Sequence, residues 1–443
     1  MITIGKPFVY ADEQTAYLKA KIDISPDTVA DYMALKDKLP KTHWRFYEDY
    51  PPRIWDDKDS GLFFAVSKEY EQYLCADRSD AFVVAMLWYA LMSHSDIRFE
   101  TPISEKLYFG ITQLLIPAVC KKYPPIRLHG PTASAPLQNA EAVGTGMSCG
   151  VDSLYTLQKY VSEDVPAAYR LTHLAYFNMG AIFHPNTAVN KEYAMEEFYR
   201  ETDRMSLEKL ENAKGVADAS GLQLVYSYSN LDRDYYRGAY GYTGVYRNCA
   251  MALAVQGLFG KYYCSSAGWP EFFDLSLSEG SEHYETLLCD AFSTETLQFI
   301  ISDYATRIEK TTALADDAIA QQYLDVCFNF NNCGTCAKCM RTLLTLEALG
   351  KVDAFSQVFD IAAYKNRRTD VFFWLLNAKD GDALDDNAVF ARSIYELIKE
   401  KQIPIPEEAV KRYDRELRKK RTSGVGYFLR RVKRRLKKIL KRG

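Results

Sequence analysis

Ala142-Val-Gly-Thr-Gly-Met-Ser-Cys-Gly-Val-Asp-Ser-Leu154 is the stretch on which the fold class turns. Its first part, Ala142–Met147, predicts a short strand, and Ser153–Val161 predicts a helix. Small residues between them predict a tight turn. Such a turn gathers backbone N–H groups and the positive end of a helix around one point, which suits an anion. Ser148 and Ser153 add hydroxyl groups. Gly150 permits close backbone approach and unusual φ/ψ values. Asp152, at the loop exit, is placed to hold Mg²⁺ against phosphates.

Outward from this loop, strand and helix alternate. Leu171–Asn178 predicts a strand, Tyr193–Ala219 a helix, Leu222–Ser227 a strand, Tyr246–Phe259 a helix and Tyr262–Ser266 a strand. That alternation predicts an α/β fold with a doubly wound parallel sheet, Rossmann-like, with helices on both faces. Ligands in such folds sit at the carboxyl ends of the strands, at the topological switch point. Phe177, near the end of its strand, joins the expected nucleotide-binding set of Ser148, Cys149, Gly150, Val151, Asp152 and Ser153. Two other phosphate motifs fail on spacing. No Gly-Lys pair is followed by Ser or Thr, and Gly144, Gly146 and Gly150 are one residue too wide for a dinucleotide fingerprint.

Residues 1–138 are expected to form an α+β N-terminal domain, with strands at PFVYA, AYLKAKIDI and GLFFAVS and helices over 80–94 and 104–120. Residues 139–350 form the expected nucleotide domain, 351–410 a helical extension and 411–443 a basic tail. The apolar run Ala81–Met92 has twelve residues, fewer than the ~20 a membrane helix needs. The N-terminus lacks the pattern of a secretory signal, so the expected compartment is the cytoplasm.

The chain has 443 residues, 48% of them hydrophobic and 26% charged. This is a globular composition that excludes collagen-like, disordered and coiled-coil classes. The net charge of −3 hides an asymmetry, because residues 411–443 hold sixteen Lys/Arg against two Asp/Glu. Within the tail, Val425, Phe428, Leu429, Val432, Leu436, Ile439 and Leu440 share one helical stripe among Lys and Arg. Such a helix over 424–443 suits an anionic membrane surface at the inner face. Nucleic acid is the weaker partner, since few aromatics interleave.

Four of the ten cysteines cluster at Cys327, Cys333, Cys336 and Cys339. In a reducing compartment such a cluster reads as a metal site rather than disulfides. Four thiolates at this spacing suit one tetrahedral, structural Zn²⁺, with Gly334 easing the turn. An iron–sulfur cluster uses similar ligands.

The loop resembles the S-G-G-x-D-S signature of the PP-loop ATP pyrophosphatases at Ser148, Gly150, Val151, Asp152 and Ser153. Cys149 stands where the first glycine would be. Together with the C-x-x-C-x-x-C run about 180 residues later, it resembles the 7-cyano-7-deazaguanine synthase branch over roughly residues 141–345. Tyr246-Arg247-Asn248 resembles that family's G-R-N segment. The resemblance implies ATP and Mg²⁺ at the loop, Zn²⁺ at the four cysteines, and Asp152, Ser153 and Arg247 as catalytic residues. It implies adenylation of a small-molecule carboxylate or similar oxygen acceptor, pyrophosphate release, then attack by ammonia or another nucleophile. An amidotransferase of the N-terminal-nucleophile type would need Cys at position 2, where this sequence has Ile, so the expected nitrogen source is free ammonia or a partner, or the nucleophile is a different one. The alternatives are a tRNA-thiolating relative and a non-catalytic nucleotide-binding scaffold at the membrane surface. A homo-oligomer is a further option.

Weaker candidates are His283, Glu285, Asp290, Arg307, Glu309 and Lys310, which are pocket residues or a solvated helix face. His184 sits where a site loop is expected, whereas His43, His94, His129 and His173 read as satisfied core or surface residues. Cys149 is a nucleophile or a small packed side chain. The tyrosines between Tyr226 and Tyr246 form a stacking platform or a tyrosine-packed surface loop.

Overall fold

The computed structural model describes residues 1–36, 61–121, 124–181, 195–236, 239–266, 273–275, 280–327, 331–381 and 385–419. The amphipathic stretch 424–443, His43 and His184 lie outside them. The chain divides into two compact units. One is Met1–Thr306 with Tyr323–Asp325, and the other is Arg307–Gln322 with the chain from Val326 onward.

In the first unit, the N-terminal half supplies β1 (Ile2–Ile4), β2 (Phe8–Ala11), β3 (Thr15–Ile24), α1 (Pro26–Lys36), β4 (Gly61–Ser67), α2 (Asp80–Met92), β5 (Ile97–Phe99), β6 (Ile103–Ser104), α3 (Glu105–Phe109), α4 (Ile116–Val119), β7 (Leu128–His129) and β8 (Thr132–Ala133). The helix expected over 104–120 is interrupted between α3 and α4 by a π-helical stretch, Gly110–Leu115. The second half supplies β9 (Ala142–Gly146), α5 (Val151–Tyr160), β10 (His173–Asn178), α6 (Met195–Ser220), β11 (Gln223–Ser229), α7 (Tyr240–Ala254), β12 (Phe259–Cys264), α8 (Glu285–Phe292) and β13 (Gln298–Ile301).

Among the described residues one eleven-stranded sheet runs β13-β12-β9-β10-β11-β4-β3-β1-β5-β7, with β2 beside β3. The five strands from β13 to β11 are parallel. Their order steps outward from β9 in both directions. With right-handed crossovers, this reversal places α5 and α6 on one face of the sheet and α7 and α8 on the other. β9 and β12 are therefore neighbours whose following connections diverge, which makes their carboxyl ends the switch point. The α/β class with a mostly parallel sheet is as expected. β13 and α8 extend the alternation beyond the last strand read from the sequence.

The sheet does not stop at residue 138. β4 pairs antiparallel with β11, Ala65 opposite Tyr228, and carries β3 and β1 with it. Strands from both sides of the expected 138/139 boundary thus share one sheet, because β4 caps the edge that β11 would otherwise expose.

The apolar run at 81–92 is α2, with every residue from Asp80 to Met92 buried. A helix apolar all round needs cover on every side. α7 packs along α2, and Trp88 stacks on Tyr242 with centroids 5.8 Å apart. Tyr235, Tyr236, Tyr242 and Tyr246 are fully buried, and the Tyr236 hydroxyl donates to the Ala85 carbonyl. These tyrosines are thus core, neither an open platform nor a surface loop. No described helix is long and apolar enough to cross a membrane.

The second unit is helical, with α9 (Arg307–Leu314), α10 (Ala318–Tyr323, its last residue in the first unit), α11 (Ala337–Ala348), α12 (Ile361–Asn366), α13 (Arg368–Ala378) and α14 (Asp386–Glu400). A further helix covers 407–419. α11 packs against α9, α13 and α14, and Arg341 lies over the Phe390 ring, 4.2 Å from its centroid.

Candidate functional site

The loop after β9 stands at the switch point. Val143 and Gly144 of β9 lie opposite Lys261 and Tyr262 of β12. Gly146 lies opposite Ala175 of β10. The Met147 N–H donates to the Ala175 carbonyl at 2.8 Å, which continues the ladder to the lip of the sheet. The chain then turns into α5, whose first residues are Val151, Asp152 and Ser153. Leading N–H groups of a helix have no carbonyl within the helix to bond. They face the turn together with the positive end of the helix dipole.

The hydroxyls are gathered at the same place. Ser148 Oγ and Ser153 Oγ are 3.2 Å apart, and Ser153 Oγ donates to the Gly150 carbonyl at 3.1 Å. Gly150 has the freedom to take unusual angles. It takes ordinary extended ones, φ −78° and ψ 171°. The left-handed conformation falls one residue earlier, on Cys149 at φ 58°. This is where the family signature carries glycine, and a Cβ in that region costs about 1–2 kcal/mol.

A contact from far along the chain secures Cys149. Its carbonyl accepts from Asp325 N–H at 2.8 Å, and its side chain is 1% exposed. Burial, reinforced by the Asp325 carboxylate, pushes the Cys149 thiol up to about 12. The thiol is neutral near pH 7 and is not an activated nucleophile. It packs as a small apolar side chain. Asp325 in turn forms an ion pair with Lys209 of α6. That pair sets a lysine and the carboxylate that neutralises it beside the loop, which the sequence did not reveal, since Lys209 lies on one helix face among many charges.

Arg247, expected to reach substrate, is fully buried. Its Nη1 donates to Asp232 Oδ1 at 2.6 Å and to the Met179 carbonyl at 2.7 Å, and its Nε donates to Thr243 Oγ1 at 2.7 Å. Gly180, at φ 89°, leaves room for it. A Cβ there would stand 2.4 Å from Arg247 Nη1. The arginine thereby ties together the segments that follow β10 and β11, and in this structure it presents no open face. Phe177 of β10 packs face to face on Tyr262 of β12, centroids 5.7 Å apart.

The weaker candidates separate. Glu285 is buried and accepts from Ser266 Oγ at 2.7 Å, while Asp290 is exposed. Arg307, Glu309 and Lys310 belong to the other unit. His129 pairs with Asp96 at 2.8 Å, and His173 bonds Gln223 at 3.0 Å.

In the second unit, the sulfurs of Cys327, Cys333, Cys336 and Cys339 lie within 4.8 Å of one another. Cys327 Sγ accepts from Cys333 N–H at 3.3 Å. Cys336 caps α11, its sulfur accepting from Cys339 N–H at 3.5 Å. Gly334 turns the chain at φ 68°. Four convergent sulfurs with N–H···S bonds are a donor set that could hold a metal ion. A second thiol group, which the sequence analysis did not single out, lies in the first unit. Cys249, Cys264 and Cys289 also have sulfurs within 4.8 Å of one another.

No protein-family model, no curated protein and no solved structure matches this chain.

Proposed function

We propose that the chain is an ATP-dependent, AMP-forming enzyme of the PP-loop type, one that adenylates a carboxylate and releases pyrophosphate. The observation that carries this is the β9–α5 turn at the switch point, where the Ser148 and Ser153 hydroxyls stand 3.2 Å apart beside the N-terminus of α5, which Val151, Asp152 and Ser153 open. Amides and hydroxyls fixed there would take up the charge that grows on the departing pyrophosphate. Asp152 would hold Mg²⁺, which supplies charge neutralisation when bound. A carboxylate oxygen then attacks the α-phosphorus, and a second nucleophile, ammonia or another amine, displaces AMP. We assign Zn²⁺ at Cys327, Cys333, Cys336 and Cys339 a structural role, because four protein thiolates leave no open position.

The test is pyrophosphate release from ATP in the presence of a panel of carboxylates. Ser153→Ala and Asp152→Ala should each lose at least about 100-fold in turnover. Wild-type chain that neither binds ATP nor releases pyrophosphate would sink the proposal.

A further inference from the structure

Three elements of the first unit bring one cysteine each to a common point. Cys249 sits on α7, Cys264 ends β12 and Cys289 lies on α8, and their sulfurs are within 4.8 Å of one another. Cys249 and Cys289 are 1% and 2% exposed. Cys264 is only partly buried, and it gives the cluster one side toward the carboxyl ends of the strands.

A single buried cysteine is an ordinary small apolar residue. Three converging from distant parts of the chain place three soft donors within 4.8 Å of one another. Thiolates about 2.3 Å from a tetrahedral Zn²⁺ stand about 3.8 Å from one another, which falls inside the 4.8 Å that bounds these three sulfurs. An iron–sulfur cube would need its cysteines spread wider, because an iron stands between each sulfur and the core. A disulfide would use two of the three and leave the third stranded. Glu285 lies four residues before Cys289 on α8, hence on the same helix face. Its buried carboxylate is oriented by Ser266. Three sulfur ligands with a fourth position beside a carboxylate differ in kind from the closed four-cysteine set.

We infer that Cys249, Cys264 and Cys289 form a second metal site that binds one zinc ion and keeps one coordination position open, beside Glu285 at the end of β12. The inference stands apart from the nucleotide proposal, because metal content is measured without substrate.

The experiment is metal analysis of the full chain purified without chelator, with zinc as the only added metal. Wild type should hold two zinc ions per chain. The triple variant Cys249→Ser/Cys264→Ser/Cys289→Ser should hold one, and Cys336→Ser/Cys339→Ser should also hold one. If the triple variant does not fold, the Cys336→Ser/Cys339→Ser chain decides alone. Zinc retained there, replaceable by Co²⁺ with thiolate-to-metal charge-transfer absorption, supports the site. Loss of all zinc from that chain, or two zinc ions remaining in the triple variant, overturns it. Stoichiometric iron and acid-labile sulfide lost with the triple variant would also overturn it.

Discussion

Arg247 and Asp232 form an ion pair 2.6 Å long in which no part of the arginine side chain is exposed. It joins α7 to the segment after β11, and the Met179 carbonyl brings in the segment after β10. The Tyr236 ring lies 4.9 Å from the guanidinium. Removing one partner of such a pair strands a buried charge, which costs about 3–5 kcal/mol. Asp232→Ala should therefore lower urea-unfolding stability by that amount, while Arg247→Met/Asp232→Leu should lose much less than the sum of its single changes. Strict additivity would show that the pair is not coupled. Gly180→Ala should disturb the same network, because its Cβ would occupy the space of Arg247 Nη1.

Cys149 combines a left-handed backbone with a buried side chain. Cys149→Gly removes about 1–2 kcal/mol of backbone strain and loses a comparable amount of packing. Its net stability change should stay within about 1 kcal/mol. Cys149→Val places a β-branched side chain at the same angle, where such residues are outliers. It should be at least about 2 kcal/mol less stable than Cys149→Gly. Paired denaturant melts compare the two, and equal stability would refute the strain argument.

Asp80 opens α2 at 1% exposure. Burial raises its carboxyl pKa to about 6, despite hydrogen bonds from Gln256 and Ser104. The folded chain therefore holds this proton more tightly than the unfolded one. Its contribution is complete below about pH 4 and is lost as pH rises to about 6, on the order of 3 kcal/mol in all. Asp80→Asn cannot titrate and keeps an amide oxygen for the Ser104 N–H. The advantage of wild type over Asp80→Asn should shrink by about that amount between pH 4 and pH 7. A difference that stays flat with pH would show that Asp80 does not titrate in this window.

The zinc proposed at Cys327, Cys333, Cys336 and Cys339 would contribute its binding free energy to folding of the second unit. Chelation, or Cys339→Ser, should lower the melting temperature of that unit by about 10 °C or more. Hydrogen exchange should rise first at the start of α11, which Cys336 caps. An unchanged melt after proven metal loss would separate the cysteines from stability.

Much of the candidate site was legible because it is local. Gly150, Asp152 and Ser153 follow a strand and open a helix within a dozen residues, and Cys333, Cys336 and Cys339 need only two short turns to converge. Arg247 was legible as a residue but not in its surroundings. Its partners, Asp232 and Met179, come from other segments, and nothing in Tyr246-Arg247-Asn248 shows that Gly180 leaves a cavity for the side chain. The tyrosines misled for a related reason. Their spacing shows aromatic density, but only α2 lying against α7 buries Tyr236 and Tyr242 against Trp88.

By itself the sequence determined the alternation from β9 to β12, the tight strand-to-helix turn after β9 and the convergence of four cysteines, since each depends on periodicity or short-range spacing. Tertiary structure alone decided that β4 closes the edge of the parallel layer, that Asp325 anchors the Cys149 carbonyl, and that Cys249, Cys264 and Cys289 meet. Those relationships are hydrogen-bond registers and packing contacts between segments far apart in the chain. No single segment carries the pattern of a partner that becomes its neighbour only when the sheet assembles.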